Sequence, residues 1–151
     1  MKKYFFVMLA LTLIIGLKPA NAQTTAVELG GAVAKLKTYN ALYILNSNDE
    51  KKIKGTLRNI DNALEDSRLK GKLHVELVAF GDGVAVYMKS GIFEPELQAL
   101  RAKGVLLTQC YNTVKERRID KNDLFSFITY VPSGNGEIIL RQYEGWATVH
   151  P

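Results

Sequence analysis

The sequence has very few of the residues that form metal centres and disulfide networks. Its 151 residues include a single cysteine, Cys110, and two histidines, His74 and His150. One cysteine cannot close an internal disulfide, and three such isolated residues lack the spacing of a metal site. We therefore predict no bound metal. The thiol of Cys110 is buried and inert, bonded to another chain, or reactive.

Sequence motifs for nucleotide binding and serine hydrolysis are also absent. Gly81-Asp82-Gly83 begins like a dinucleotide-binding loop, but Val86 occupies the position of the third glycine. The chain has no phosphate-loop lysine motif and no Gly-x-Ser-x-Gly nucleophile motif. We predict that no cofactor binds and that Gly81, Asp82 and Gly83 form a tight turn. We expect this turn to let the backbone approach the loop that contains Cys110, and we expect Asp82 to be a polar group near that site.

The N-terminal 22 residues have the layout of a secretory signal peptide. Two lysines precede an uncharged apolar stretch from Tyr4 to Leu17, and Ala20-Asn21-Ala22 supplies a small-x-small cleavage pattern. A membrane anchor is the alternative, but a span needs about 20 apolar residues and this stretch stops at Lys18. We therefore predict cleavage before Gln23, a soluble exported or periplasmic protein, and no membrane anchor after cleavage.

Removal of this leader leaves 129 residues, the size of one domain. We divide them into a lead-in at 23–37 and an α/β domain at 38–151. The cleavage also removes Lys2, Lys3 and Lys18, so the net charge falls from +5 to +2. Because so small a charge gives little support for nucleic-acid binding, we predict no nucleic-acid partner.

Apolar patterns predict an alternation of strands and helices in residues 38–151. Short apolar runs predict strands, and leucines and isoleucines at helical spacing predict helices. The predicted strands are 38–45, 73–80, 105–109, 127–131 and 146–149, and the predicted helices are 50–70, one within 91–103, one after Thr113, and 137–144. This alternation is typical of a mainly parallel sheet of about five strands with helices on both faces.

Cys110 lies where the third predicted strand meets a helix. Thr113 and Glu116 match a capping box with Thr113 as N-cap, and Asn112 and Thr113 add polar groups beside the thiol. Three basic residues follow within two turns: Lys115, Arg117 and Arg118. Helix N-termini and cations favour a thiolate, and reactive groups gather at the carboxyl ends of parallel strands. We therefore expect a partly accessible thiol with a lowered pKa, and a buried structural thiol is the alternative.

Several segments, in this order along the chain, carry a family resemblance. They are Leu73–Gly83, Ala99–Val105, Gln109–Thr113, Val131–Gly134 and Arg141–Ala147, with Pro151 last. Together they resemble the DsrE/DsrF-like sulfur-relay family, and most closely its small exported single-domain members. The resemblance covers residues 38–151. It implies a three-layer α/β/α sandwich and a homo-oligomer, often a trimer or a hexamer.

The resemblance also implies a chemistry for Cys110. In the sulfur-relay members a cysteine carries sulfur as a persulfide, and the position that corresponds here is Cys110. Many relatives carry a histidine just before the glycine turn, where this chain has Phe80, and residues 111–113 differ from those of the cytoplasmic carriers.

Two hypotheses about function follow. The leading hypothesis is an exported sulfur or thiol-redox carrier that uses Cys110 and works with a sulfur-donor or thiol partner protein. The competing hypothesis is a non-catalytic oligomeric protein that binds a small ligand, with Cys110 as a structural residue. The sequence leaves open whether the protein is an enzyme.

Overall fold

The computed structural model describes residues 30–151, which are built around a sheet of five parallel strands. The strands are β1 (Tyr39–Leu45), β2 (Leu73–Ala79), β3 (Leu106–Cys110), β4 (Thr129–Val131) and β5 (Ala147–Val149). The helices are α1 (Glu50–Glu65), α2 (Glu94–Ala102), α3 (Tyr111–Glu116) and α4 (Gly134–Tyr143), with 3-10 helices at Gly81–Tyr87 and Lys121–Asp123. The predicted α/β fold with a parallel five-stranded sheet is confirmed.

The strand order is β4-β3-β2-β1-β5, and this order decides on which face each helix lies. From β1 to β4, each connection steps to the next strand in one direction, and right-handed crossovers place α1, α2 and α3 on one face. The connection from β4 to β5 returns across the whole sheet, so α4 covers the opposite face. β3 and β4 are therefore neighbouring strands whose following helices leave on opposite sides.

The face covered by α1 and α2 holds most of the buried apolar side chains. Every second residue of β1 points to this face, as Tyr43 and Leu45 do, because side chains alternate along a strand. α1 packs onto the strands with one stripe of side chains at helical spacing. The buried apolar side chains of that stripe are Ile53, Leu57 and Ile60.

The face covered by α4 is thinner and more polar. Its buried apolar cluster consists of Leu42, Ile44 and Val78, among the residues that the structure describes. Side chains that are only partly buried pack around this cluster: Phe80, Val131, Ile138 and Trp146. The alternation along β2 and β3 also brings Glu76 and Thr108 to this face, and both are almost completely buried.

Two predicted helix ends need correction, each for a local reason. α1 ends at Glu65 rather than at residue 70, because Asp66 leaves the helical conformation and its side chain accepts the Arg68 N–H. α4 begins at Gly134, before the predicted residue 137, because the Ser133 hydroxyl accepts a backbone N–H of the first turn at 3.2 Å. The other boundaries shift by at most three residues.

The predicted signal peptide at 1–22 lies outside the described residues, as does the lead-in up to residue 29. The division into leader, lead-in and domain therefore stays a prediction. Within residues 30–151, no helix has the length and apolar character needed to cross a membrane.

Candidate functional site

Cys110 is the last residue of β3 and the N-cap of α3, at the carboxyl edge of the sheet. Cys110 pairs with Val131 of the neighbouring strand β4. The helix after β3, α3, lies on one face of the sheet, and the helix after β4, α4, lies on the other. Cys110 therefore lies at the boundary between these two strands. In open α/β sheets such a boundary forms a crevice in which ligands bind. The predicted position of Cys110 between a strand and a helix is confirmed, and its role stays a prediction.

Opposing effects act on the pKa of the Cys110 thiol. Burial raises this pKa, whereas hydrogen bonding from the backbone and hydroxyl of Thr113 and from the backbone N–H groups of Gly134 and Asn112 lowers it. The donors prevail, and the pKa lies below its ordinary value, as expected from the sequence. These donors belong to the first turns of α3 and α4, where N–H groups favour a negative charge.

The thiol is more enclosed than the sequence predicts. Cys110 is only 5% exposed, whereas we expected partial access. The reason is a tertiary contact, because Gly134 at the start of α4 is one of the hydrogen-bonding neighbours of the thiol. Phe80 packs behind Gly134, where an added β-carbon would lie 3.0 Å from Phe80 Cβ. The start of α4 and Phe80, both distant from Cys110 in sequence, therefore help to enclose the sulfur.

Thr113 connects Cys110 to the glycine turn. The predicted capping box is wrong, because α3 begins directly at Tyr111 and places Thr113 inside the first turn. The buried hydroxyl oxygen of Thr113 accepts the Gly81 N–H at 2.9 Å. The hydroxyl proton is then free for the sulfur, and its hydrogen bond is among the interactions that lower the pKa of the Cys110 thiol.

The glycine turn is a 3-10 helix, Gly81–Tyr87, rather than a tight turn. Gly81 has a φ of 54°, a conformation that favours glycine, and its N–H reaches Thr113. Gly83 faces another neighbour, because a β-carbon there would collide with the carbonyl oxygen of Leu45 at the end of β1. The predicted approach to the Cys110 loop is therefore made by Gly81, and Gly83 packs against β1.

Asp82 lies on the surface and pairs with Arg117 at 2.6 Å, with both side chains about half exposed. Lys115 and Lys121 lie over the ring of Tyr111, 5.4 and 4.3 Å from its centre. Burial and hydrogen bonds are the main causes of the shifted pKa of the thiol. Arg117 and Lys115 thus have other partners, and the predicted electrostatic contribution of residues 115, 117 and 118 to the thiol stays a prediction.

The pattern around Cys110 did not identify Gly134 and Phe80 as parts of the site. A signal for Gly134 is nonetheless present, because Ser133 is a favoured N-cap residue and predicts a helix that starts directly after it. Phe80 occupies the position before the glycine turn, but nothing local shows that it packs against α4. In residues 30–151, no group of three or more Asp, Glu, His or Cys side chains is placed to hold a metal ion.

The sequence profile of the DsrE/DsrF-like family matches residues 32–151, a range that includes the whole site. The chain belongs to the DsrE/DsrF-like family. The predicted resemblance is confirmed, and membership is consistent with a role in sulfur relay. No curated protein matches the sequence.

Solved structures are similar to this DsrE/DsrF-like chain. MTH1491 from Methanobacterium thermoautotrophicum, a protein of unknown function, is 29% identical with a TM-score of 0.70, covering 75% of this chain and 99% of that one. BT1422 from Bacteroides thetaiotaomicron, also of unknown function, is 14% identical with a TM-score of 0.57, covering 80% and 100%. The ychN protein from E. coli is 15% identical with a TM-score of 0.55, covering 77% and 100%. The last two support the fold alone.

Proposed function

We propose that this DsrE/DsrF-like protein is a sulfur carrier that holds sulfane sulfur as a persulfide on Cys110. The observation that carries the proposal is the set of hydrogen-bond donors around the thiol, drawn from α3 and α4 at the boundary of β3 and β4. A thiolate and a persulfide anion both place negative charge on sulfur, so the same donors stabilise the reactant and the loaded form.

Loading and unloading need no oxidant. The Cys110 thiolate attacks the terminal sulfur of a donor persulfide, so that a new S–S bond forms, the donor S–S bond breaks, and the donor leaves as a thiolate. An acceptor thiolate then attacks the outer sulfur of the Cys110 persulfide and releases the Cys110 thiolate. One sulfur atom moves and the electrons balance. A partner that offers a disulfide would give a mixed disulfide instead, which is the thiol-redox form of the same attack.

The partner must supply the other thiols. Cys110 is the single cysteine of the chain, so an internal disulfide cannot resolve the loaded form. The donor and acceptor are therefore thiols of another protein or small thiols. We also propose that this exchange takes place outside the cytoplasm, because residues 1–22 have the pattern of a cleaved signal peptide.

We further propose that the protein forms a homo-oligomer, a trimer or a hexamer, through the outer side of α4. Three large apolar side chains are exposed there: Ile139, Leu140 and Tyr143, at 54, 61 and 90%. Such a grouped apolar surface favours a contact with another chain. We expect Leu140→Glu to lower the mass measured by light scattering, and the control Ile92→Glu, on the other side of the sheet, to leave it unchanged. A native monomer at micromolar concentration would contradict the proposal.

Mass spectrometry of the mature protein tests the sulfur-carrier proposal. After incubation with inorganic polysulfide and alkylation, we expect one additional sulfur atom on the peptide that contains Cys110, and none in a Cys110→Ser variant. Persulfide that fails to form on a thiol that alkylates readily would contradict sulfur transfer. Because Cys110 is enclosed, alkylation that needs prior denaturation would favour the alternative, an oligomeric ligand-binding protein with a structural cysteine.

A further inference from the structure

α4 rests on the sheet through few apolar contacts. In the part of the chain that the structure describes, Ile138 is the one α4 side chain in the apolar cluster of that face. Two inward-facing side chains of α4 are charged, Glu137 and Arg141, and they are 14 and 23% exposed. The position of α4 on the sheet therefore depends largely on polar contacts.

Glu76 of β2 is the partner of α4 in these contacts. Its side chain is 1% exposed, and Oε2 accepts a hydrogen bond from Arg141 Nε at 2.8 Å. Arg141 is itself held by Glu137 at 2.8 Å, by Glu144 at 3.1 Å, and by the Trp146 ring, whose centre is 4.3 Å from Cζ. Among residues 30–151, Glu76 Oε1 has no hydrogen-bond partner. Burial raises the pKa of this carboxyl, and Thr108 and Arg141 are the neighbours that oppose the rise by favouring its charged form.

The pair contacts one end of α4, and the Cys110 site lies at the other end. Gly134 precedes Arg141 by seven residues, a separation of about 10 Å along the helix axis. Phe80 directly follows β2 in an extended conformation and lies on the same face as Glu76, at a distance of about 13 Å along the chain. α4 therefore meets this strand at two points with similar spacing, Arg141 on Glu76 and Gly134 on Phe80. Two such contacts restrict both sliding and rotation of the helix.

We propose that Glu76 and Arg141 are positioning residues for Cys110. Their ion pair fixes α4 along the sheet, and α4 brings the Gly134 N–H to the sulfur. Neither residue touches the thiol, so their effect passes through the helix. The inference rests on the proposed function only in treating Cys110 as the reacting group.

Titration of the Cys110 thiolate in the mature protein tests this inference. The ultraviolet absorbance of the thiolate is measured against pH, with Cys110→Ser as the blank, because this signal does not require a reagent to reach the enclosed sulfur. We expect Arg141→Met and Glu76→Leu to reduce the thiolate fraction at neutral pH about tenfold, the effect of losing one hydrogen bond to a charged group.

Two further variants separate positioning from general stability. Glu144→Gln removes a carboxylate from the same guanidinium, but its side chain is 56% exposed, so we expect an unchanged titration. Glu76→Gln keeps an oxygen for Arg141 Nε, so we expect a smaller shift than in Glu76→Leu. A purely structural role would lower the midpoint of thermal unfolding and leave the titration of the folded protein unmoved.

A folded Arg141→Met protein with the native thiolate titration overturns the inference. Circular dichroism shows whether each variant folds. If Glu76→Leu does not fold, the titrations of Arg141→Met and Glu76→Gln test the inference, because Arg141 is partly exposed and glutamine keeps the volume of Glu76. Persulfide formation is assayed separately on the native protein. If no persulfide forms, the proposed function is wrong, but the comparison of thiolate titrations between the variants is still valid. If persulfide forms normally and the variants leave the titration unchanged, only the positioning role is wrong.

Discussion

On the face covered by α1 and α2, side chains of strands and helices interlock in a large apolar cluster that includes the fully buried Leu97. On the face covered by α4, the buried apolar side chains are Leu42, Ile44 and Val78, beside the charged Glu76. Buried apolar area stabilises a fold without specifying direction, whereas hydrogen bonds and ion pairs are directional. The first face therefore supplies most of the stability, and α4 on the second face completes the set of donors that α3 begins at Cys110.

The largest expected effect is on the apolar face. Leu97→Ala removes a fully buried side chain of α2, so we expect the free energy of unfolding to fall by about 2–5 kcal/mol. Because α2 does not contribute to the thiol environment, the pKa of Cys110 should stay as in the native protein. Urea unfolding and thiolate titration measure the two quantities. A large change in this pKa in folded Leu97→Ala protein would remove the distinction between the faces.

Gly134→Ala tests the opposite face at its closest contact. The added β-carbon would lie 3.0 Å from Phe80, so we expect a loss of about 1–3 kcal/mol and a raised pKa of Cys110 as α4 shifts. The matched control is Gly136→Ala in the same helix turn, where the new atom meets Ser133 at an ordinary 3.4 Å. Adding Phe80→Ala to Gly134→Ala removes two of the three close atoms, Cγ and Cδ1, and should restore the pKa of Cys110 in part. Equal effects of the two glycine substitutions would contradict this account.

Thr113→Val removes the hydroxyl that joins Cys110 to Gly81. The Gly81 N–H loses its acceptor and the thiolate loses a donor, so we expect a loss of about 1–2 kcal/mol and a raised pKa of Cys110. Thr113→Ser keeps the hydroxyl and is the control. Thiolate absorbance against pH, read for both variants, should place Thr113→Ser near the native protein. A native titration in Thr113→Val would exclude the hydroxyl from the site.

The lowered pKa of Cys110 also predicts how stability depends on pH. Between this lowered pKa and the ordinary value of 9.0, the unfolded chain holds more protons than the folded chain, so stability increases with pH. Relative to Cys110→Ser, the native protein should gain at most about 1.4 kcal/mol per pH unit in that window, and the gain should vanish at lower pH. Urea unfolding of the native protein and of Cys110→Ser at several pH values in this range measures the gain in stability. A difference of the opposite sign would mean that the pKa of Cys110 is raised.

The smallest effect is expected at the surface pair of Asp82 and Arg117. Both side chains are about half exposed, so Arg117→Ala should change the free energy of unfolding by at most about 1 kcal/mol. The pKa of Cys110 should not move, because burial and hydrogen bonds are the main causes of its shift and Arg117 is paired with Asp82. A substantial rise of that pKa in Arg117→Ala would give surface charge a part in the site.

Most of the fold could be predicted because its signals are local. The spacing of Ile53, Leu57 and Ile60 predicts α1 without reference to the rest of the chain, and the apolar run of β2 predicts a strand covered on both faces. The position of Cys110 at the end of a strand follows from the same kind of pattern. Helix ends were less predictable because caps such as Ser133 depend on single hydrogen bonds.

The surroundings of the thiol could not be predicted in the same way. Gly134 reaches Cys110 only because β4 pairs with β3 and α4 then turns back over the sheet. Conversely, Lys115 and Arg117 are close to Cys110 in sequence, but they contact Tyr111 and Asp82 instead. Residues near Cys110 in sequence therefore did not identify all neighbours of the thiol, because a glycine distant in sequence completes the site.

The pairing of β5 with β1, as between Ala147 and Ala41, joins the two ends of the domain. α4 and β5 thus close the fold with little buried apolar area, and such segments open at a lower free energy than the core does. We expect their amide hydrogens to exchange with solvent before those of β1 and β2. Partial opening of this closing segment would uncover Cys110 while the α1 and α2 face stays folded. For the proposed sulfur carrier, such opening would let a partner thiol reach the enclosed sulfur atom without global unfolding.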